Sequence, residues 1–142
     1  HRKENKKIVF TNGCFDILHV GHIEYLKFSR KQGDVLVIGL NTDRSVREQK
    51  GDKRPFVSED ERARLISALE DVDYVILFDD LTPEKLIRRV KPDVLVKGED
   101  WKEKGVVGRE FVESYGGKVI LAPLVKDVST TDIVSRILER SG

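Results

Sequence analysis

Five short runs of apolar, largely β-branched residues recur along the chain: KIVFT (7–11), DVLVIGL (34–40), DYVILF (73–78), DVLVKG (93–98) and KVILAP (118–123). Their hydrophobicity is continuous rather than alternating, which marks strands buried on both faces and hence a parallel sheet. Parallel neighbours cannot be joined by tight turns, so each connection must be a crossover. The intervening stretches have helical spacing and recognisable ends. Ser58 followed by Glu61 fits a capping box ahead of Leu65, Ile66 and Leu69, and Thr82-Pro83 fits an N-cap with proline at the first helical position. Gly33 is placed to end a first helix that starts near Val20 or Gly21. Ile133, Val134, Ile137 and Leu138 form one stripe of a last helix over 129–140.

That βαβα order predicts a single α/β domain over residues 7–142, built on a Rossmann-like, doubly wound, five-stranded parallel sheet of order 3-2-1-4-5 with right-handed crossovers. The polar residues 1–6 read as a disordered, fraying terminus. Two irregular stretches, REQKGDKRPF (47–56) and GEDWKEKGVVG (98–108), follow strand-plus-turn positions where such folds bind ligands. Lys+Arg 26 against Asp+Glu 25 leaves no global field to recruit nucleic acid or an anionic membrane, so any anion site must be local. One cysteine excludes an intrachain disulfide framework, and no apolar run approaches the roughly 20 residues of a membrane span. A cytoplasmic protein is the plain reading.

In an open α/β sheet the first βα turn normally carries the phosphate, and here that turn is TNGCFDILHVGH (11–22). It contains neither G-x-G-x-x-G nor G-x-x-x-x-G-K-[ST], so the usual dinucleotide fingerprint and a P-loop are both excluded there. His19 and His22 would stand one turn apart at the helix start, beside its free N–H groups, and Gly21 between them would let a phosphate approach the backbone. Two imidazole donors and helix amides would make a compact polyphosphate pocket. Against this stands a bland alternative in which His19 caps a helix and His22 is an ordinary helix residue. With one cysteine and no third ordered ligand nearby, no structural metal site is expected.

The TNGCFDILHVGH stretch resembles the first signature of the H-x-G-H nucleotidyltransferase superfamily, and the resemblance extends from Lys7 to Leu138. KGDKRPFVSEDERARLISALEDVDYVI (50–76), DVLVKGEDW (93–101) and STTDIVSRI (129–137) are similar to further blocks of its heptose 1-phosphate adenylyltransferase branch, and Val128 to Ile133 fits the superfamily's second signature. The resemblance implies transfer of AMP from ATP to a sugar 1-phosphate, on the pattern of D-glycero-β-D-manno-heptose 1-phosphate, with Mg²⁺ accompanying the nucleotide and with relevance to lipopolysaccharide core precursors. Relatives commonly form homodimers, for which an unpaired sheet edge would supply a surface. Some are fused to a sugar kinase, for which 142 residues leave no room, so the chain is expected to be a stand-alone transferase or an excised domain served by a separate kinase.

Carried onto this sequence, the resemblance assigns His19 and His22 to the triphosphate and Lys50 to the position between sugar phosphate and α-phosphate. Thr11, Asn12, Gly13, Cys14 and Phe15 should line the nucleotide cleft through their backbone. Gly98, Glu99 and Asp100 would reach the nucleobase or ribose, and Ser129, Thr130 and Thr131 would form a second anion site at a helix start. Ser129 with Asp132 also satisfies a capping box. Lys53 and Arg54 are weaker candidates beside Lys50. Asp16 either faces the sugar phosphate or braces the turn; Arg62 either reaches a phosphate or pairs with Glu59; Trp101 either contacts the nucleotide or lids apolar surface. Glycerol-phosphate cytidylyltransferases carry an Arg-Thr pair shortly before the second signature, whereas here the stretch is APLVKD (122–127), leaving Lys126 as the substitute. A cytidylyltransferase acting on glycerol 3-phosphate and a non-catalytic nucleotide-binding module are the alternatives. A class I aminoacyl-tRNA synthetase fragment is opposed by the missing K-M-S-K-S loop.

Overall fold

The computed structural model describes residues 5–99, 105–123 and 130–141. Five strands, β1 (Ile8–Gly13), β2 (Val35–Asn41), β3 (Tyr74–Phe78), β4 (Val94–Gly98) and β5 (Lys118–Ala122), form one parallel sheet in the expected order β3-β2-β1-β4-β5. The helices among the described residues are α1 (Val20–Arg30), α2 (Asp43–Lys50), α3 (Glu59–Ser67), α4 (Glu84–Val90), α5 (Arg109–Ser114) and α6 (Thr130–Ser141).

Both faces of the central strands are covered, which is why their sequences are apolar over most of their length. Val9, Leu36, Ile38 and Val96 bury one face against Leu26 of α1 and Ile66 of α3. Phe10, Val37 and Leu95 bury the other against Ile87 of α4 and Val112 of α5. The aspartates that head three of the strand runs set their alignment. Asp34 accepts from the Lys7 amide, Asp93 from the Ile8 amide and Asp73 from the Leu36 amide, each at 2.8 Å. Each carboxylate thus satisfies an amide at the start of the neighbouring strand that would otherwise be left unpaired. β3 is an edge strand, and its Tyr74, Ile76 and Leu77 remain exposed.

Several local expectations are corrected. α1 begins at Val20 but ends at Arg30 with Lys31 in the right-handed region, so Gly33 does not cap it. A Cβ on Gly33 would meet Val9 Cγ2 at 2.7 Å and the Lys7 carbonyl at 3.0 Å; the glycine is there to let the turn pass close beneath β1. Pro83 is itself the N-cap of α4, with no side-chain capping bond, so Thr82 does not act as the cap. Part of the stretch read as irregular, 47–50, belongs to α2, whose sequence DRSVREQK has too few apolar residues to show a stripe. Six-residue α5 is likewise too short to announce itself.

Gly33→Ala is expected to cost about 1–3 kcal/mol through overpacking against Val9 and backbone, measured by urea denaturation. Wild-type stability in that variant would contradict the close approach.

Candidate active site

The carboxyl end of the sheet is organised by two buried charged groups. After β1 the chain turns through Cys14 and Phe15, the latter at φ 47, and reaches α1 at Val20. Asp16 within this turn is buried, and its carboxylate accepts from the Phe56 amide at 2.9 Å and the Val57 amide at 2.8 Å. Asp16 therefore braces the 51–57 loop, and the sugar-phosphate alternative is set aside.

Arg62 of α3 is 0% exposed. Its Nε donates to the Val57 carbonyl at 2.9 Å, Nη1 to the carbonyls of Cys14 (2.7 Å) and Asn41 (2.8 Å), and Nη2 to Asp43 Oδ1 at 2.7 Å. Neither expectation for Arg62 holds: it faces no open anion site, and Glu59 instead accepts from the Asp43 amide at 3.0 Å. The guanidinium ties the ends of β1 and β2 to the start of α2 and to the loop preceding α3.

His19 is the N-cap of α1. Its Nδ1 accepts from the Gly21 amide at 3.1 Å, and His22 Nδ1 accepts from the His19 amide at 3.3 Å, a capping box made by two histidines. Their rings stack at 3.8 Å between centroids, with Phe15 packed on His22 at 5.2 Å. With each Nδ1 accepting, the proton of each neutral ring lies on Nε2, away from the backbone. The capping alternative holds for His19, while the ligand-binding reading concerns the opposite edge of each ring. The Gly21 amide is committed to His19. His22 is held down at about 4, by burial first, then by His19 and Lys50.

A cavity of about 360 Å³ opens at the ends of β1, β2 and β4, lined by Asn12, Gly13, Cys14, Asn41, Lys50 and Lys97 together with Gln49, Leu81, Thr82, Pro83 and Val107. Lys50, exposed at the end of α2, lines this cavity, and its charge acts on both Cys14 and His22. Burial pushes the Cys14 thiol up despite Lys50, Arg62 and Lys97, keeping it protonated, with Sγ 3.7 Å from Asn41 Oδ1.

Among the residues expected to line the nucleotide cleft, Asn12, Gly13 and Cys14 line this cavity. Thr11 is buried beneath it, its hydroxyl shared between Tyr25 and the Val96 carbonyl, and the Phe15 ring is in the core. Lys53 is exposed, and Arg54 sits 4.7 Å over the Phe56 ring; neither lines the cavity. Gly98 ends β4 and Glu99 is exposed beyond it. Asp100, Trp101, Lys126 and Ser129 lie outside the described residues, as do the side chains of Thr130 and Thr131, whose backbone opens α6. Lys97, only 8% exposed, is the residue that sequence reasoning missed. Its signal was present: a lysine inside the otherwise apolar run DVLVKG of a central strand.

The profile of a family described as cytidylyltransferase-like matches residues 10–136. The chain is 54% identical over 139 residues to the bifunctional protein HldE of Trichlorobacter lovleyi, covering 98% of this chain and 28% of that protein, so it spans little more than a quarter of that relative's length. A crystal structure of the lipopolysaccharide core biosynthesis protein from Thermoplasma volcanium is 35% identical, with a TM-score of 0.67, and the match covers 85% of this chain and 98% of the other. Pantoate-beta-alanine ligase from Francisella tularensis, 19% identical with a TM-score of 0.61 over 96% of this chain and 71% of its own, shares the fold.

The depressed His22 gives a directional prediction. The unfolded chain takes up this proton near 6.5 and the folded chain only near 4, so His22 contributes a loss of stability as pH falls across that window and none above it. NMR titration should place the ligand-free His22 near 4, and an added triphosphate should raise it, since a neighbouring anion favours the imidazolium. A His22 titrating at 6.5 or above without ligand would contradict the burial of its ring beside His19.

Proposed function

The chain belongs to the cytidylyltransferase-like family, and from that premise we propose that it transfers the adenylyl group of ATP to a sugar 1-phosphate, D-glycero-β-D-manno-heptose 1-phosphate in the first instance, releasing pyrophosphate. The observation that carries the reading is a cavity at the carboxyl end of the sheet lined by both Lys50 and Lys97, with the charge of Lys50 also acting on His22 of a histidine pair whose Nδ1 atoms are spent on capping α1. A cation shared in this way would serve both the phosphate in the cavity and the one held by the histidines. Similarity to a bifunctional HldE and to a lipopolysaccharide core biosynthesis protein supports a sugar phosphate as the second substrate.

In this reading a phosphate oxygen of the sugar attacks the α-phosphorus of ATP. The bond from that phosphorus to the oxygen bridging to the β-phosphate breaks, and pyrophosphate leaves with the electron pair. The nucleophile is already ionised, so no general base is required. Catalysis is alignment and charge neutralisation. His19 and His22, fixed as Nε2–H donors, hold the triphosphate. Lys50 lies between the sugar phosphate and the α-phosphate, and Lys97 supplies a second cation on the acceptor side of the cavity.

Mg²⁺ belongs to the ATP. Among the described residues no group of three His, Cys, Asp or Glu side chains is placed to hold a metal, and Asp16 and Asp43 are already engaged by backbone amides and Arg62. The ion would be held by phosphates and water, and it supplies charge neutralisation of the leaving pyrophosphate. A sugar kinase activity would supply the 1-phosphate, and the need for ATP fits a reaction in the cytoplasm. The exposed β3 edge would serve a homodimer.

The test is pyrophosphate release with Mg²⁺ from ATP and from CTP, each paired with the heptose phosphate and with glycerol 3-phosphate. Release confined to ATP with the heptose phosphate is expected; release with CTP and glycerol 3-phosphate would replace the substrate assignment. His19→Ala should lower kcat roughly 10²- to 10³-fold, by analogy with loss of one oxyanion donor. Lys97→Met should raise the KM for sugar phosphate about tenfold or more while Lys53→Met changes neither KM, since removing a buried charged partner costs more than removing a solvated one.

A further inference from the structure

Two asparagines stand near each other at the carboxyl edge of the sheet, and the fold treats them differently. Asn41, at the end of β2, is fully used: its Nδ2 donates to Ser45 Oγ at 3.0 Å and its Oδ1 lies 3.7 Å from the Cys14 thiol. Asn12, on β1 and paired in register with Gly39, is not. Its Oδ1 is buried and has no hydrogen-bond partner, the one buried side-chain oxygen or nitrogen in that state among the described residues. Burying an acceptor without a donor is unfavourable, and folded proteins rarely leave one so.

The surroundings explain why the protein does not repair it. A Cβ on Gly39 would meet Asn12 Cβ at 3.3 Å and Phe10 Cζ at 2.7 Å, so β2 offers no side chain at the position paired with Asn12. On its other side Asn12 borders the cavity that also holds Lys50 and Lys97. Rotation about the last torsion of an asparagine is broad and two-fold, so the carboxamide can turn its oxygen toward an occupant of that space at little expense.

We propose that Asn12 is a specificity-determining residue that reads a hydroxyl of the acceptor: a polyol phosphate places its anion between the two lysines and donates one O–H to Asn12 Oδ1. The inference rests on the acceptor reading given above and narrows it, because it demands a hydroxyl-bearing substrate rather than any phosphate. It also moves Asn12 from the nucleotide, where the resemblance put it, to the acceptor. Selectivity of this type is large, since a site built to receive a hydroxyl penalises its absence.

Asn12→Leu, close in volume and without polar atoms, is the discriminating variant. Initial rates with ATP, Mg²⁺ and the heptose 1-phosphate should show the sugar-phosphate KM raised about 10- to 100-fold and the ATP KM within twofold of wild type. Thermal melting of the ligand-free variant should occur at or above the wild-type temperature, because an orphaned acceptor has been removed. An unchanged sugar-phosphate KM, or both KM values rising with a lowered Tm, would overturn the assignment and leave a structural role. Absence of wild-type turnover with any sugar phosphate would overturn the acceptor reading instead, and the melting comparison would still decide whether the Asn12 oxygen is orphaned.

Discussion

The guanidinium of Arg62 is the constraint on which the site depends. It is wholly buried yet charged, a state that costs several kcal/mol unless hydrogen bonds and a counter-charge replace water. The replacement comes from four segments at once: the Cys14 carbonyl after β1, the Asn41 carbonyl ending β2, Asp43 at the head of α2, and Val57 before α3. None of these carbonyls lies inside the regular ladder of the sheet, so each would need a partner where the chain turns out of its strand. Arg62 therefore sets the position of α2, whose last residue is Lys50. Asp16 performs the converse task, receiving two amides of the loop that links α2 to α3. One buried cation and one buried anion thus hold the two loops that carry the proposed chemistry.

The paired histidines show how little machinery the proposed anion site needs. A helix start has unpaired amides, and here they are satisfied by the Nδ1 atoms of His19 and His22 rather than by the usual serine or aspartate. The same bonds orient both rings and place their remaining protons outward. Burial keeps His22 neutral near pH 7, so in the proposed reaction it would act as a dipolar donor while Lys50 and Lys97 would supply formal charge. A neutral donor next to two cations avoids the mutual repulsion that four positive groups would suffer before substrate arrives.

Much of the fold was legible because it depends on local pattern. Continuous apolar runs indicated strands covered on both faces, and Phe10 and Val9 do face opposite cores. His19 and His22 were legible because of their position just past the first strand. The unread parts depend on partners far away in sequence. Arg62 bonds a carbonyl 48 residues back and Asp16 an amide 40 residues on, and nothing near either residue announces those bonds. Lys97 was readable in principle, as a charge inside an apolar strand, but it was absorbed into the strand. α2 escaped notice because a helix with one buried apolar residue, Val46, shows no periodicity.

Transfer of the adenylyl group is most directly tested by following the phosphorus atoms. With ATP labelled at the α- or the γ-position, the heptose 1-phosphate and Mg²⁺, α-label should appear in the sugar nucleotide and γ-label only in pyrophosphate. Label from the γ-position in the sugar product, or orthophosphate in place of pyrophosphate, would contradict attack at the α-phosphorus and with it the role given to Lys50 and the paired histidines.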